Sequence, residues 1–273
     1  MNVAVLLTCH NRRVQTLACL RALFAQERDL SDRLQLTVWL VDDGSTDGTS
    51  AAVAEAFPEV RLIPGSGDLF WCGGMALAWS HAADFTADAF LWLNDDVLLL
   101  PGALATLRQI AHEHPDAVIV GSCRDPQTGR RTYGGLRRMG LHPGKIYPVE
   151  PGTGTTSCDT FEGNIVWVPV STFVRIGPLA RFRHAMGDID YGYRVSEYGI
   201  PLLLAPGFLG VCAANSRRGT WEDSSLKIGE RLRKLRGIKG LPARDWWQFC
   251  RRNGGLGAPL YFVTPFLRIL SGR

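Results

Sequence analysis

Through the first 120 residues, short, mostly apolar runs alternate with stretches in which apolar positions recur every three or four residues. The runs at 3–8, 34–41, 60–63, 89–93, 117–120 and 165–168 read as strands, the first of them buried. Between them, helices are predicted over 13–25 (where Leu17, Leu20, Leu23 and Phe24 form one stripe), 48–57 and 73–83. Another runs from Pro101, which suits a first helical turn, to about 114. Further along, a helix is predicted over 188–198 and basic amphipathic helices over 221–234 and 245–252. Residues 123–160, rich in Gly, Pro and Thr, read as loops with a short hairpin, forming a lid. Strands and helices alternating at this spacing predict an α/β fold: a mostly parallel, Rossmann-like central sheet with helices on both faces.

Three polar clusters fall at predicted strand ends: Thr8-Cys9-His10-Asn11, Asp42-Asp43-Gly44 and Asn94-Asp95-Asp96. Sheets of this kind bind ligands beyond the carboxyl ends of their strands, so the clusters converge on one rim. Carboxylates there suit a hard divalent cation that keeps coordination sites for diphosphate oxygens. The same residues also suit turns. In Asp42-Asp43-Gly44-Ser45-Thr46-Asp47-Gly48-Thr49, Asp47 or Thr46 is a natural cap for the next helix. One carboxylate of this segment is also placed to accept a hydrogen bond from a base or ribose. Asp188 suits a helix N-cap and Asp190 a first helical turn by the dipole.

Charge and cysteine content narrow the class. The net charge of +4 conceals a basic end: residues 216–273 hold thirteen Lys/Arg against four Asp/Glu, while the first 215 are mildly acidic. That divides the chain into a body, 1–215, and a basic helical C-terminal extension, 216–273. No nucleic-acid-binding motif accompanies the charge, so an anionic membrane surface is the expected partner rather than nucleic acid. Seven scattered cysteines without a CxxC pair point to buried thiols in a reducing compartment. The chain opens on a strand-like run rather than a signal peptide, and no apolar run nears the ~20 residues of a membrane span. The predicted location is cytoplasmic, peripheral at the inner face of the cytoplasmic membrane.

Four segments in order carry a resemblance: Thr8-Cys9-His10-Asn11-Arg12, the stretch from Asp42 to Thr49, Asn94-Asp95-Asp96-Val97, and Gly187-Asp188-Ile189-Asp190 with Arg194. Together they resemble the family-two glycosyltransferases of GT-A fold over most of residues 3–210. The resemblance implies a nucleotide-diphospho-sugar donor, Mg2+ or Mn2+, and inversion at the anomeric carbon. It implies Thr8, Asn11, Arg12 and Asp42 around the nucleotide, with Asp96 and Asn94 as outer members of a DxD-like metal motif. Asp95 between them is a donor-sugar contact or a structural residue. Asp188 matches the family's catalytic base, although Gly187 stands where the family has Glu. Asp68-Leu69-Phe70-Trp71-Cys72-Gly73-Gly74-Met75 resembles the family's Gly-rich donor loop, with Asp68, Gly73 and Gly74 at the donor. Trp71, Asn164, His184 and Asp190 are assigned to the acceptor side.

His184 with Gly187-Asp188-Ile189-Asp190 is similar to a bacterial surface-polysaccharide, rhamnosyltransferase-like subgroup. This implies dTDP-rhamnose or a UDP-sugar as donor and a glycan or polyprenyl-diphosphate-linked glycan as acceptor. Two rivals stand beside it. A sugar nucleotidyltransferase would use a similar sheet and acidic residues, but the Gly-rich, Lys/Arg-bearing N-terminal loop expected for a triphosphate is missing. A catalytically silent membrane-surface assembly protein is suggested by Gly187 and Asn94.

Overall fold

The structure is a computed structural model that describes residues 1–30 and 34–272; Arg273, the last residue of the expected extension, lies outside them. The first part is β1 (Asn2–Cys9), α1 (Arg13–Asp29), β2 (Gln35–Asp42), α2 (Thr49–Ala56), β3 (Arg61–Pro64), α3 (Phe70–Ala82), β4 (Ala89–Leu93), β5 (Leu98–Leu99) and α4 (Ala103–Glu113). There follow β6 (Val118–Arg124), β7 (Arg131–Tyr133), β8 (Gly135–Arg138), β9 (Ile146–Pro148), β10 (Thr156–Ser157), β11 (Thr160–Phe161) and β12 (Ile165–Pro169). The chain then forms α5 (Val170–Ile176), α6 (Gly187–Glu197), β13 (Leu202–Val211), α7 (Ile228–Arg236), α8 (Ala243–Asn253) and α9 (Ala258–Leu270).

The main sheet has the order β10-β13-β6-β12-β4-β1-β2-β3. The strands β1, β2, β3, β4, β6 and β13 run in one direction, and β12 runs against its neighbours β4 and β6. Alternation along each strand divides the core between the two faces. Val3, Val5 and Leu7 of β1 and Leu91 and Leu93 of β4 pack under α1, α2 and α4. Ala4, Leu6, Phe90 and Trp92 pack under α3, α5 and α6. Trp79 and Trp92 centre the second face, their rings 5.2 Å apart, with Tyr191 of α6 at 5.5 and 5.0 Å from them. All seven cysteines are buried and unpaired, and no helix among the described residues is long and apolar enough to cross a membrane.

Three expectations change. Residues 123–160 do not form loops with one hairpin: β7 joins the main sheet, β10 pairs with β13, and β8, β9 and β11 build a small separate sheet. The ten-residue strand β13 has no counterpart among the predicted strands because Pro206-Gly207 interrupts its apolar run. The register shifts there, and Gly207 has φ +60°. Such a residue pair marks a bulge in a strand that continues beyond it. The first basic helix starts at Ile228, not at 221.

The extension shares a core with the body. Phe249, Trp246 and Cys250 of α8 pack with Tyr193 of α6 and with Cys72 and Phe182. Fully buried Asp190 of α6 accepts Arg252 Nε at 2.7 Å and Asn253 Nδ2 at 3.1 Å, both from α8.

Helix α6 also approaches β11 at Gly192, where a methyl group would sit 2.7 Å from Thr160 Cα. Gly192→Ala is expected to destabilise the fold by about 1–3 kcal/mol, because backbone must move. Gly229→Ala, with open space around it in α7, is expected to gain about 0.5 kcal/mol from the less flexible unfolded chain. Urea midpoints of the two variants test the contrast: the same chemical change should shift them in opposite directions.

Candidate active site

Because β1, β2 and β4 are parallel, the residues after Cys9, Asp42 and Leu93 emerge on one rim. The reversed β12 brings its entry segment, Glu162-Gly163-Asn164, to the same rim. Above it lies a cleft of about 600 Å³ lined by Thr8, Arg12, Trp71, Asn94, Asp95, Asp96, Asn164, His184 and Asp188 from the sequence-derived set. Residues that sequence reasoning did not assign to a site also line it: Asp43, Phe70, Tyr133, Glu162, Gly163, Met186 and Lys239 among them.

Other expected residues lie around the cleft rather than in its lining. Asp42 is buried and turned into its own loop, where it accepts Ser45 N at 2.9 Å and the Ser50 hydroxyl. Its neighbour Asp43 faces the cleft, and its carboxylate collects the backbone N–H groups of Gly67, Leu69 and Phe70 at 2.8, 2.9 and 2.9 Å. Successive residues at a strand end point to opposite sides, so only one of such a pair can do this. Asn11 latches two rim loops together: its N–H donates to Ser45 Oγ at 2.8 Å and its Oδ1 accepts Thr46 N at 2.7 Å. Asp68 is exposed. Gly73 and Gly74 lie within α3, which starts at Phe70 rather than 73. Gly74 is a packing requirement, since a methyl group there would meet Thr8 Cβ at 2.7 Å. Asp190, expected on the acceptor side, is enclosed in the α8 clamp.

The expected metal motif, Asn94-Asp95-Asp96, is bound up with an arginine. Arg12 Nη1 lies 2.7 Å from Asp96 Oδ2 and 3.1 Å from Asp95 Oδ1. Burial opposes the Arg12 charge, but the two carboxylates hold its proton affinity above the usual range. Burial pushes Asp95 up to about 7, against the pull of Arg12, and Thr16 Oγ1 donates to it at 3.3 Å. Asn94 Oδ1 accepts the Trp71 indole N–H at 2.7 Å. Asp96 is therefore the one member of the motif with a partly exposed carboxylate, and no group of three His, Cys, Asp or Glu suited to a metal occurs among the described residues. This donor set fits a hard divalent cation held by one carboxylate and completed by diphosphate oxygens and water.

Asp188 sits in the first turn of α6. Its Oδ2 accepts Gly163 N at 3.0 Å and its Oδ1 accepts Ile189 N at 2.8 Å. Burial raises its pKa, and these two N–H groups partly offset that. A side chain at Gly187 would meet Cys72 Sγ at 2.5 Å, so the position where the family has Glu is closed. A second carboxylate arrives from Glu162 instead. Burial pushes it up to about 7, Arg131 at 3.3 Å opposes that, and the Asp188 charge adds to it. Across the cleft, His184 Nδ1 is buried without a hydrogen-bond partner in the described structure. Burial and then the Lys239 and Arg12 charges lower the His184 pKa.

The three non-glycine residues with left-handed backbone among those described are Asn11, Phe70 and Met186. All stand at this cleft or its rim, a concentration that marks a functional site. Neither Glu162 nor Lys239 belongs to a motif; only the reversal of β12 and the return of the C-terminal segment bring them here.

Against known proteins, the model for "Glycosyl transferase family 2" matches residues 4–184. Two curated relatives, both named N-acetylglucosaminyl-diphospho-decaprenol L-rhamnosyltransferase, come from Mycobacterium tuberculosis strains CDC 1551 / Oshkosh and H37Rv. Each is 27% identical over 202 residues, spanning 64% of this chain and 66% of the relative, just short of two thirds of its length. Among solved structures, the mannosyltransferase PcManGT of Pyrobaculum calidifontis, in complex with GDP-Man and Mn2+, superposes with a TM-score of 0.59 at 16% identity. That match covers 99% of this chain and 73% of the other. S. aureus TarS 1–349 superposes with a TM-score of 0.59 at 12% identity, covering 98% and 71%. With the family model matched across the rim, the strand-end acids and most of the sheet, the chain belongs to glycosyl transferase family 2 and has its GT-A fold.

Proposed function

We propose that the cleft binds a nucleoside-diphospho-sugar beside an acceptor hydroxyl and transfers the sugar with inversion. The observation that carries this reading is Asp188: a carboxylate of raised proton affinity, held by two backbone N–H groups, in the same cleft as Asp96 and Arg12. The acceptor hydroxyl gives its proton to Asp188 as its oxygen bonds to the anomeric carbon. The bond from that carbon to the diphosphate breaks on the opposite side, and the nucleoside diphosphate leaves with the electron pair. Arg12, Lys239 and the unpartnered Nδ1 of His184 supply positive charge and a hydrogen-bonding group for phosphate oxygens. A divalent cation, Mg2+ or Mn2+, held by Asp96 would add charge compensation on the departing diphosphate. The names of the M. tuberculosis relatives support a rhamnosyl group as the one transferred and a polyprenyl-diphosphate-linked glycan as acceptor; the donor proposed is dTDP-rhamnose or a UDP-sugar.

Asp188→Asn is expected to abolish transfer while leaving donor affinity near wild type; Asp96→Ala should lose metal-dependent donor binding. Calorimetry with dTDP-rhamnose and Mg2+ or Mn2+, beside a transfer assay, separates the two, and an active Asp188→Asn enzyme rejects the base assignment.

Gly163→Ala is expected to cost about a hundredfold in kcat, since its methyl group would sit 2.7 Å from the Trp71 ring and 3.2 Å from Asp188 Cβ. Single-turnover rates read this loss, and a rate within a factor of about three of wild type would remove the positional argument.

The pH profile follows from Asp188. A base works only when deprotonated, and burial raises its pKa, so kcat/KM should fall with decreasing pH along a limb lying above the ordinary aspartate value of 3.8. An acid limb at or below that value would count against Asp188.

A further inference from the structure

Helix α9 is apolar on both sides. Its inward face carries Ala258, Pro265 and Ile269, all buried. Its outward face, with Leu256 just before it, presents Leu256, Leu260, Val263, Leu267 and Leu270 at intervals of three and four residues, all exposed. Leu260 is 64% and Leu267 56% accessible. The polar side chains of the helix do not interrupt that stripe: Thr264 bonds His142 at 2.9 Å, Tyr261 packs on the same imidazole, and Arg268 reaches Glu222 at 3.3 Å. A helix apolar all round belongs in a core or against lipid, and here one of its sides has no protein over it among the described residues.

The adjoining face of α8 supplies the border. Arg244, Trp247 and Arg251 are exposed at i, i+3 and i+7, so they stand in one row. Trp247 meets Phe262 of α9 edge-on at 5.6 Å. An apolar stripe bordered by a tryptophan and arginines matches the layered chemistry of a bilayer surface, where aromatic rings lie at headgroup level and cationic heads reach phosphates. Charge selects between occupants. Two copies meeting on this face would bring together segments that each carry thirteen Lys/Arg against four Asp/Glu, whereas an anionic headgroup layer complements them.

We propose that α9 and the Arg244–Trp247–Arg251 row of α8 form a docking surface for anionic membrane, with the leucine stripe entering the headgroup–acyl boundary. The surface belongs to the same segment that sends Lys239 into the cleft. Docking is independent of which sugar or acceptor the cleft takes, and its test involves no transfer reaction.

The test is co-sedimentation of the full chain with vesicles of phosphatidylcholine alone or mixed with phosphatidylglycerol. The chain should pellet with the anionic vesicles, and added salt should release it. Leu260→Glu/Leu267→Glu and Arg244→Glu/Arg251→Glu should each weaken binding by about tenfold or more, with an unchanged circular dichroism spectrum and thermal midpoint. Equal pelleting with both vesicle types, or wild-type binding by the Leu260→Glu/Leu267→Glu variant, overturns the proposal. Light scattering that shows a dimer dissolved by that variant also overturns it, in favour of a second copy as the occupant.

Discussion

A glycine with no room for a methyl group holds the two sides of the cleft in register. Gly163 lies under the Trp71 ring, and its N–H fixes one oxygen of Asp188. The indole N–H of Trp71 is in turn held by Asn94 Oδ1, and Asn94 N bonds Asn164 O at 3.0 Å. Helix α3, the end of β4, the start of β12 and the first turn of α6 therefore meet through one closed set of interactions. None of these groups would stay aligned if β12 ran parallel to its neighbours, because its entry segment would then emerge at the opposite edge of the sheet.

Much of this was legible in residue order. The runs that became β1 and β4 are buried on both faces, so their lack of alternation signalled a parallel interior, whereas β2 alternates over its partly exposed first half and is buried only from Val38 onward. Polar clusters at their ends then had to gather on one rim. What stayed hidden was direction and pairing. Asp42 and Asp43 are chemically alike, yet one turns into its loop and the other faces the cleft. Asp188 and Asp190 lie two residues apart on a helix, so they point to different sides: one lines the cleft while the other is enclosed by Arg252 and Asn253. Strand β13 was hidden by a Pro-Gly bulge, and the small sheet by strands of two to four residues. Glu162 reaches the cleft only through the reversal of β12, a topological fact with no local signature.

Two acids of the cleft share one electrostatic condition. Asp95 and Glu162 are both pushed up to about 7 by burial, and each has an arginine beside it, Arg12 and Arg131 respectively. Such a site gives up charge readily, because removal from water penalises the ionised form more than one neighbouring cation restores it. The protein keeps these groups together only because surrounding N–H and guanidinium donors are fixed by the fold. That is the electrostatic arrangement expected where a phosphate-bearing ligand and a proton acceptor must work side by side.

The Asp190 clamp gives the C-terminal helices a mechanical role in the position of Asp188. Both acids ride on the first turn of α6, and the deeper one is anchored to the end of α8. A chain cut short before 243 would take the Arg252 and Asn253 donors from Asp190, leave it Arg194 of its own helix at 3.3 Å, and open that turn to water directly behind the proposed base. The basic extension is thus no detachable appendage: it seals and braces the turn that carries the proposed base.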